Sequence, residues 1–553
     1  MRFPNYRQLS AGFFPALCLT ACGGGDAGPD GAATRGPIGG ASGTQLAEVQ
    51  ELHWGNGAEP QTLDPHTGAG VPGSNIQRDL YEGLINEAPN GDLIPGAAES
   101  WEVSGDGLIY TFRLRENARW SNGDPVTAAD FVYSLQRSLD PVTLSRYTFI
   151  LNPILNARAI AAGQRPLTDL GARALDDLTL EIELEAPTPY FLGLLTHSAS
   201  YPVHRASVEQ HGAQHTRPGN MVTNGAFMLE DWVVQSQVQL VRNPYYWNNR
   251  NTILDRVFFH NTEDQSAEIR RYRADEIDIT YATIARRQLP WIRENIPDEL
   301  IIAPYLGTYY YSFNTIRPPF DSGPELRRAL ALAIDREIIT EQVLTSGEIP
   351  AFGWVPPISG YENQEMEEAS WTQVQREEEA RRLYALAGYS EENPLVAEFM
   401  YNTQEDHRRV GLAVTAMWKQ VLGAEVTLTN QEWKVFLDTR AAKTDTQVFR
   451  DAWIGDYNDA YTFAELYHSE SGLNNTGWGN AEYDRLLGLA STETDLAVRA
   501  DYLQRAEAIL LEELPILPIY HYVTVRLVKP WVGGYSPNIM DHHRSKDYYI
   551  LEH

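Results

Sequence analysis

The chain has 553 residues, with 43% apolar and 21% charged side chains, 13 Trp and 29 Tyr, a composition that excludes disorder and can fill roughly two to four cores. Its formal charge of -30 argues against nucleic acid, which needs basic patches, and against a surface held to anionic lipid. The only two cysteines, Cys18 and Cys22, lie near the N-terminus, so the folded region must rest on its core without disulfides.

At the N-terminus, Arg2 and Arg7 precede the apolar run Ala11-Gly-Phe-Phe-Pro-Ala-Leu-Cys-Leu-Thr-Ala21, which is too short for a permanent membrane span and reads as a secretory signal. Leu19-Thr20-Ala21-Cys22 resembles a bacterial lipobox, which implies cleavage before Cys22 and lipidation of that residue. Residues 1–22 are therefore expected to be a lipoprotein signal peptide including Cys22, and residues 23–45, rich in Gly, Ala, Pro and Ser, a flexible linker. No later segment is apolar enough to cross a membrane, so a single lipid anchor is the expected attachment.

The string Gly68-Ala-Gly-Val-Pro-Gly73 fits G-x-G-x-x-G, but Pro72 interrupts it and no apolar strand leads in. A loop that lets a ligand backbone approach is expected there, not a dinucleotide site. Residues 75–84 read as a short amphipathic helix with Ile76, Leu80, Tyr81 and Leu84 on one side. Residues 110–115 alternate as a strand, Asn122-Gly123 marks a turn, and Thr127 is placed to cap a helix. His211 and His215 have i, i+4 spacing, but Gly212 weakens the helix they need and no third ligand is evident, so no metal site is expected.

Residues 308–314 read as a strand, and Asp321-Ser-Gly-Pro324 opens a helix with Leu326, Leu330, Ala333 and Ile334 inward. Helix 375–387, closed by Gly388, is followed by strand 395–401, helix 406–422, strand 425–428, helix 433–442 and strand 447–453, a βαβαβ pattern. Ligands of such open sheets sit beyond the C-terminal strand ends, and Asp456 lies just past one, beside Trp453 and Tyr457. In water-poor surroundings a carboxylate there can hold an ammonium through charge-assisted hydrogen bonds.

Several strings in a fixed order carry a family resemblance: Leu63-Asp64-Pro65, Tyr81-Glu-Gly-Leu84, residues 120–131, Asn224-Gly225, Arg242-Asn-Pro-Tyr-Tyr-Trp247, Ala333-Ile-Asp-Arg336, Trp453-Ile-Gly-Asp-Tyr457 and Leu527-Val-Lys-Pro-Trp531. From about Glu59 onward the chain resembles the oligopeptide-binding component of bacterial peptide-importing ABC transporters. The resemblance implies an α/β, three-lobed, periplasmic-binding-protein-like fold with mixed sheets and a hinged ligand cleft. Lobe I would combine 46–81, 207–306 and 524–553, lobe II would be 82–206, and lobe III 307–523. It further implies a monomer without catalytic activity, cofactor or metal. Such a protein captures short peptides for ABC permease subunits, in the periplasm or at the cell surface, and is anchored through Cys22.

The resemblance also implies roles for particular positions. Val71, Gly307, Ala452 and Ile454 match segments whose backbone pairs with a peptide, in the manner of an added strand. Asp456 matches the acid that binds the peptide α-ammonium, and Arg450 and His407 match positions that meet C-terminal carboxylates of ligands of different length. Trp433, Leu437, Arg440, Trp453, Tyr147, Tyr281, Tyr305, Tyr310 and Tyr522 match pocket-lining positions. Relatives can carry an acid where this chain has Ala69 or Ser312, an asparagine at Ala282, a histidine at Ala441, and cysteines at Gly307 and Ile454, so a less charged pocket is expected here. Cell-wall peptide, dipeptide, or a nickel or haem complex are alternative solutes for the same fold. A secreted hydrolase is a more distant rival, because no G-x-S-x-G, H-E-x-x-H or P-loop string occurs.

Overall fold

The structure, a computed structural model, describes residues 45–553 apart from Ala69, Ser359 and the Lys434 side chain. The expected signal peptide, Cys18, Cys22 and nearly all of the expected linker lie outside the described residues. Within them the strands build three larger sheets, and the central strands of the third are buried along most of their length. In the first, Glu51–Gly57 pairs in parallel with Arg256–Asn261, and Gln237–Arg242 and Phe227–Val233 continue it antiparallel. The second is antiparallel throughout, in the order Ala98–Val103, Ile109–Leu114, Thr179–Glu183, Ala172–Asp176. Helix Ala128–Leu139 packs on it through Phe131 and Leu135, and starts as expected at Thr127, whose backbone N–H donates to Asp130 Oδ2 at 2.8 Å.

The third sheet has six strands in the order Ile349–Pro350, Ile516–Leu527, Leu300–Phe313, Val448–Ile454, Val396–Asn402, Glu425–Gln431. Its first four strands pair antiparallel and its last three parallel. The parallel part, with helices Glu405–Leu422 and Trp433–Ala442, is the βαβαβ unit expected from the sequence. Two elements depart from expectation. The strand expected at 308–314 begins at Leu300, because backbone pairing with Ile516–Leu527 continues across Pro304 and Gly307 with a register shift. Its alternate residues face two cores, Tyr309, Tyr311 and Phe313 on one side and Leu306 and Tyr310 on the other. The helix expected at 75–84 spans Val71–Leu80 instead. Pro72 suits its first turn, and the chain leaves the helix at Tyr81 in an extended conformation.

His211 ends helix Arg205–His211, and Gly212, at φ 53°, turns the chain before His215. The two histidines therefore do not share a helical face. Arg137 instead grips Asp64 with both terminal nitrogens, at 3.0 and 2.6 Å, and holds its carboxyl down to about 2. Among the described residues no helix is long and apolar enough to cross a membrane.

Arg336 shows why its motif is built as it is. Its side chain is fully buried and donates to four carbonyls: from Nε to Ala351 and Pro518, and from Nη1 to Ala331 and Ile334. It thereby ties the helix Glu325–Leu332 to the strand Ile516–Leu527. Arg336→Ala is expected to destabilise the protein by about 3 kcal/mol or more, seen as a lower denaturant midpoint, because it strands these acceptors in a dry core.

Candidate functional site

The site is built on one half-paired strand. Val448–Ile454 is bonded along its whole length to Leu300–Phe313, but its other edge meets Val396–Asn402 only at Val448 and Phe449. Antiparallel ladder bonds fall on every second residue. Gly455 N–H donates to Leu306 C=O at 2.8 Å, so Trp453 and Asp451 share that direction, while Ala452 and Ile454 turn their backbone groups to the open edge. Gly307 lies opposite Ile454, and a Cβ there would come within 2.3 Å of the Ile454 side chain. A side chain at 307 would thus require the Ile454 side chain to move aside.

Asp456 follows the end of this strand. Its backbone N–H donates to Thr462 Oγ1 at 3.4 Å, but its carboxylate has no ion-pair or hydrogen-bond partner among the described residues. Burial alone raises its pKa from 3.8 to about 6. It opens into a cavity of about 230 Å³ that Val71, Tyr147, Tyr305 and Ile454 also line. Five of the expected site residues therefore meet around one space. They come from helix Val71–Leu80, from the margin of the second sheet's core, and from two strands of the third sheet.

At the other end of the open edge stands Arg450. Its guanidinium is buried over the Tyr309 ring, donates to Asn402 Oδ1 at 3.3 Å and Tyr522 Oη at 3.2 Å, and leaves Nε without an acceptor. No carboxylate among the described residues lies within ion-pair distance of it. The His407 ring lies tilted against the same Tyr309 ring with Nδ1 unsatisfied, and burial followed by the Arg450 charge lowers its pKa to about 3. His407 and Tyr522 line a second cavity of about 460 Å³, whose wall includes Ala282.

The other expected positions are placed differently. Trp453 packs beside the core on its own side of the sheet with its indole N–H unsatisfied. Tyr281 lies under Gly57, and Tyr310 is buried edge-on against Trp354. On helix Trp433–Ala442, Trp433 is 49% exposed and stacks on Phe436, and Leu437 is half-buried. Arg440 is bonded to Asp451 and so ties this helix to the strand. Ser312 is buried, and Ala69 lies outside the described residues. Arg78, His197, Asp541 and His542 also line the Asp456 cavity and were not singled out by sequence. Their positions, spread over more than 460 residues of chain, offered no local signal.

The site thus presents an open strand edge with a carboxylate near one end and a guanidinium near the other, neither in an ion pair among the described residues. The chain belongs to the bacterial extracellular solute-binding proteins, family 5, whose middle region matches residues 92–475. It is 43% identical to the periplasmic oligopeptide-binding protein OppA of Escherichia coli over 516 residues, 93% of this chain and 94% of that one. It is similar to the unliganded open form of the murein tripeptide-binding protein MppA, with a TM-score of 0.83 at 41% identity over 93% of this chain and 99% of that one. Haemophilus influenzae OppA in complex with RPPGFSPFR gives 0.77 at 38% identity, over 92% and 100%.

The Asp456 shift fixes a sign. Below about pH 6 the empty site holds a neutral carboxyl, and above it an ionised one. A cationic ligand end binds the ionised form, so affinity should fall as pH drops through 6, at most about tenfold per pH unit. Titration of binding between pH 4 and 8 checks this. A flat profile would show that Asp456 does not meet the ligand's charge.

Proposed function

We propose that this protein captures short peptides for an ABC importer. The observation that carries the reading is the open backbone edge at Ala452 and Ile454 with Asp456 at one end and Arg450 at the other. Main-chain pairing to such an edge holds a peptide without reading its sequence, and the two charges meet its termini. Residues 450 and 456 are six apart, or about 20 Å of strand, and the inward reach of the arginine shortens that span. Peptides of roughly three to five residues fit it. The relatives named as oligopeptide-binding and murein tripeptide-binding proteins support the ligand class.

Three lobes carry the site in this reading: 46–81 with 207–306 and 524–553, then 82–206, then 307–523, and they close on the ligand as a clamp. Each of the three larger sheets gives one lobe its core. Ligand-stabilised closure is a population shift set by how much better the shut state binds. Arg450 and His407 meet C-termini at different distances, with Tyr522 beside them. The protein acts as a binding component and not as an enzyme, and passes its ligand to permease subunits in the membrane. The location is periplasmic, in line with the relatives named so, and Cys22 supplies a lipid anchor.

Asp456→Asn should weaken binding of a free-amine tripeptide by roughly 3–5 kcal/mol, because it leaves a buried ammonium unpaired. Calorimetry with the free and N-acetylated peptide checks it. Equal binding of the acetylated form would remove the ammonium from the site. For the anchor, Cys22→Ser should move the protein from the membrane to the soluble fraction, and a variant that stays with the membrane would refute lipidation at Cys22.

A further inference from the structure

Two side chains line the Asp456 cavity with donor N–H groups left over. Arg78, on helix Val71–Leu80, gives one hydrogen bond, from Nη1 to Asn75 Oδ1 at 3.1 Å, and has no carboxylate within ion-pair distance among the described residues. His197 accepts the Ala199 N–H on Nδ1 at 3.1 Å. A neutral ring so arranged carries its proton on Nε2, and no described group accepts from it. Burial first, and then the neighbouring His542 and Arg78, holds that ring neutral.

The acids nearby are accounted for. Asp541, on the same wall, accepts from Arg526 Nη2 at 2.8 Å and from His543 Nε2 at 3.0 Å. Glu87 is bonded to His542 Nδ1 at 2.7 Å. Asp456 and Arg78 line the same cavity without an ion pair between them. The space thus holds an anion and a cation that no ion pair joins.

A peptide whose ammonium is on Asp456 and whose backbone runs along Ala452 and Ile454 places its first side chain in this same cavity. We propose that Arg78 and His197 form a carboxylate receptor for that side chain, so that the protein prefers peptides beginning with aspartate or glutamate. This inference rests on the peptide reading above. The chemistry is directional: a guanidinium and an imidazole N–H donate, an ionised side chain accepts, and a lysine at the first position would meet a like charge.

Calorimetry of the purified protein with Glu-Ala-Ala and its near-isostere Gln-Ala-Ala tests the receptor. The wild type should bind the glutamate peptide roughly tenfold or more tightly, the worth of a hydrogen-bonded charge. Arg78→Gln should bring the ratio of the two affinities close to one, and His197→Phe should lower it part of the way. Equal binding by the wild type, or an unchanged ratio in Arg78→Gln, overturns the receptor and leaves the peptide reading standing. Binding of neither peptide overturns both. Should Arg78→Gln fail to fold, the wild-type ratio and His197→Phe decide the matter.

Discussion

A buried charge without a counter-charge is costly, and folded proteins rarely keep one. Two such charges, Asp456 and Arg450, lie near the two ends of one strand. The interaction that makes this possible is the antiparallel ladder between Val448–Ile454 and Leu300–Phe313, which fixes that strand from one side only. On the other side, pairing with the parallel neighbour stops at Met400, and the Ala452 N–H is taken up by the Asp451 carboxylate. The cost of the two ions is carried by the large cores on either face of the sheet.

The supporting residues serve that one strand. Gly307 lets the neighbouring strand approach Ile454, and Asp451 turns toward Arg440 to seat helix Trp433–Ala442. Asp451 also accepts the N–H of Ala452 at 2.9 Å, a bond a pairing ligand strand would have to replace. The arginine that is used up structurally, Arg440, and the one left open, Arg450, are ten residues apart in the same βαβ segment. What separates them is a carboxylate within reach, not burial, since both are largely removed from solvent.

How much of this was legible follows the range of each signal. The βαβαβ unit was readable because its periodicities are local, and its elements fall within a residue or two of expectation, apart from the strand that runs on to Gln431. Asp456 was readable for the same reason, as an acid just past an apolar strand. Helix Val71–Leu80 was displaced because a Gly-Pro string reads as a loop until the fold uses the proline in a first turn. The long strand was cut short at Thr308 because Pro304 and Gly307 break the alternation that tertiary pairing then overrides. Arg78 and His197 escaped notice because an unpaired donor is defined by which acids lie near it. Asp541 and Glu87, the acids that could have neutralised Arg78, are taken by Arg526, His543 and His542 from distant parts of the chain.

The loop that carries Asp456 also joins two cores. Tyr457, the next residue, packs into the core of the second sheet and stacks on Tyr190 at 5.0 Å, while Tyr461 stacks on the same ring at 5.1 Å. Arg499 locks the turn between them through both oxygens of Asp459, at 2.7 and 2.8 Å. The Asp456 carboxylate therefore sits one residue from a contact between bodies that are otherwise built from separate sheets. Tyr147 faces the same cavity from the second sheet's side. A ligand that touches both Tyr147 and Asp456 favours the arrangement that brings them together, by as much as it binds that arrangement better than any other. The placement of the Asp456 carboxylate and the relative placement of two cores are in this way set by the same few residues.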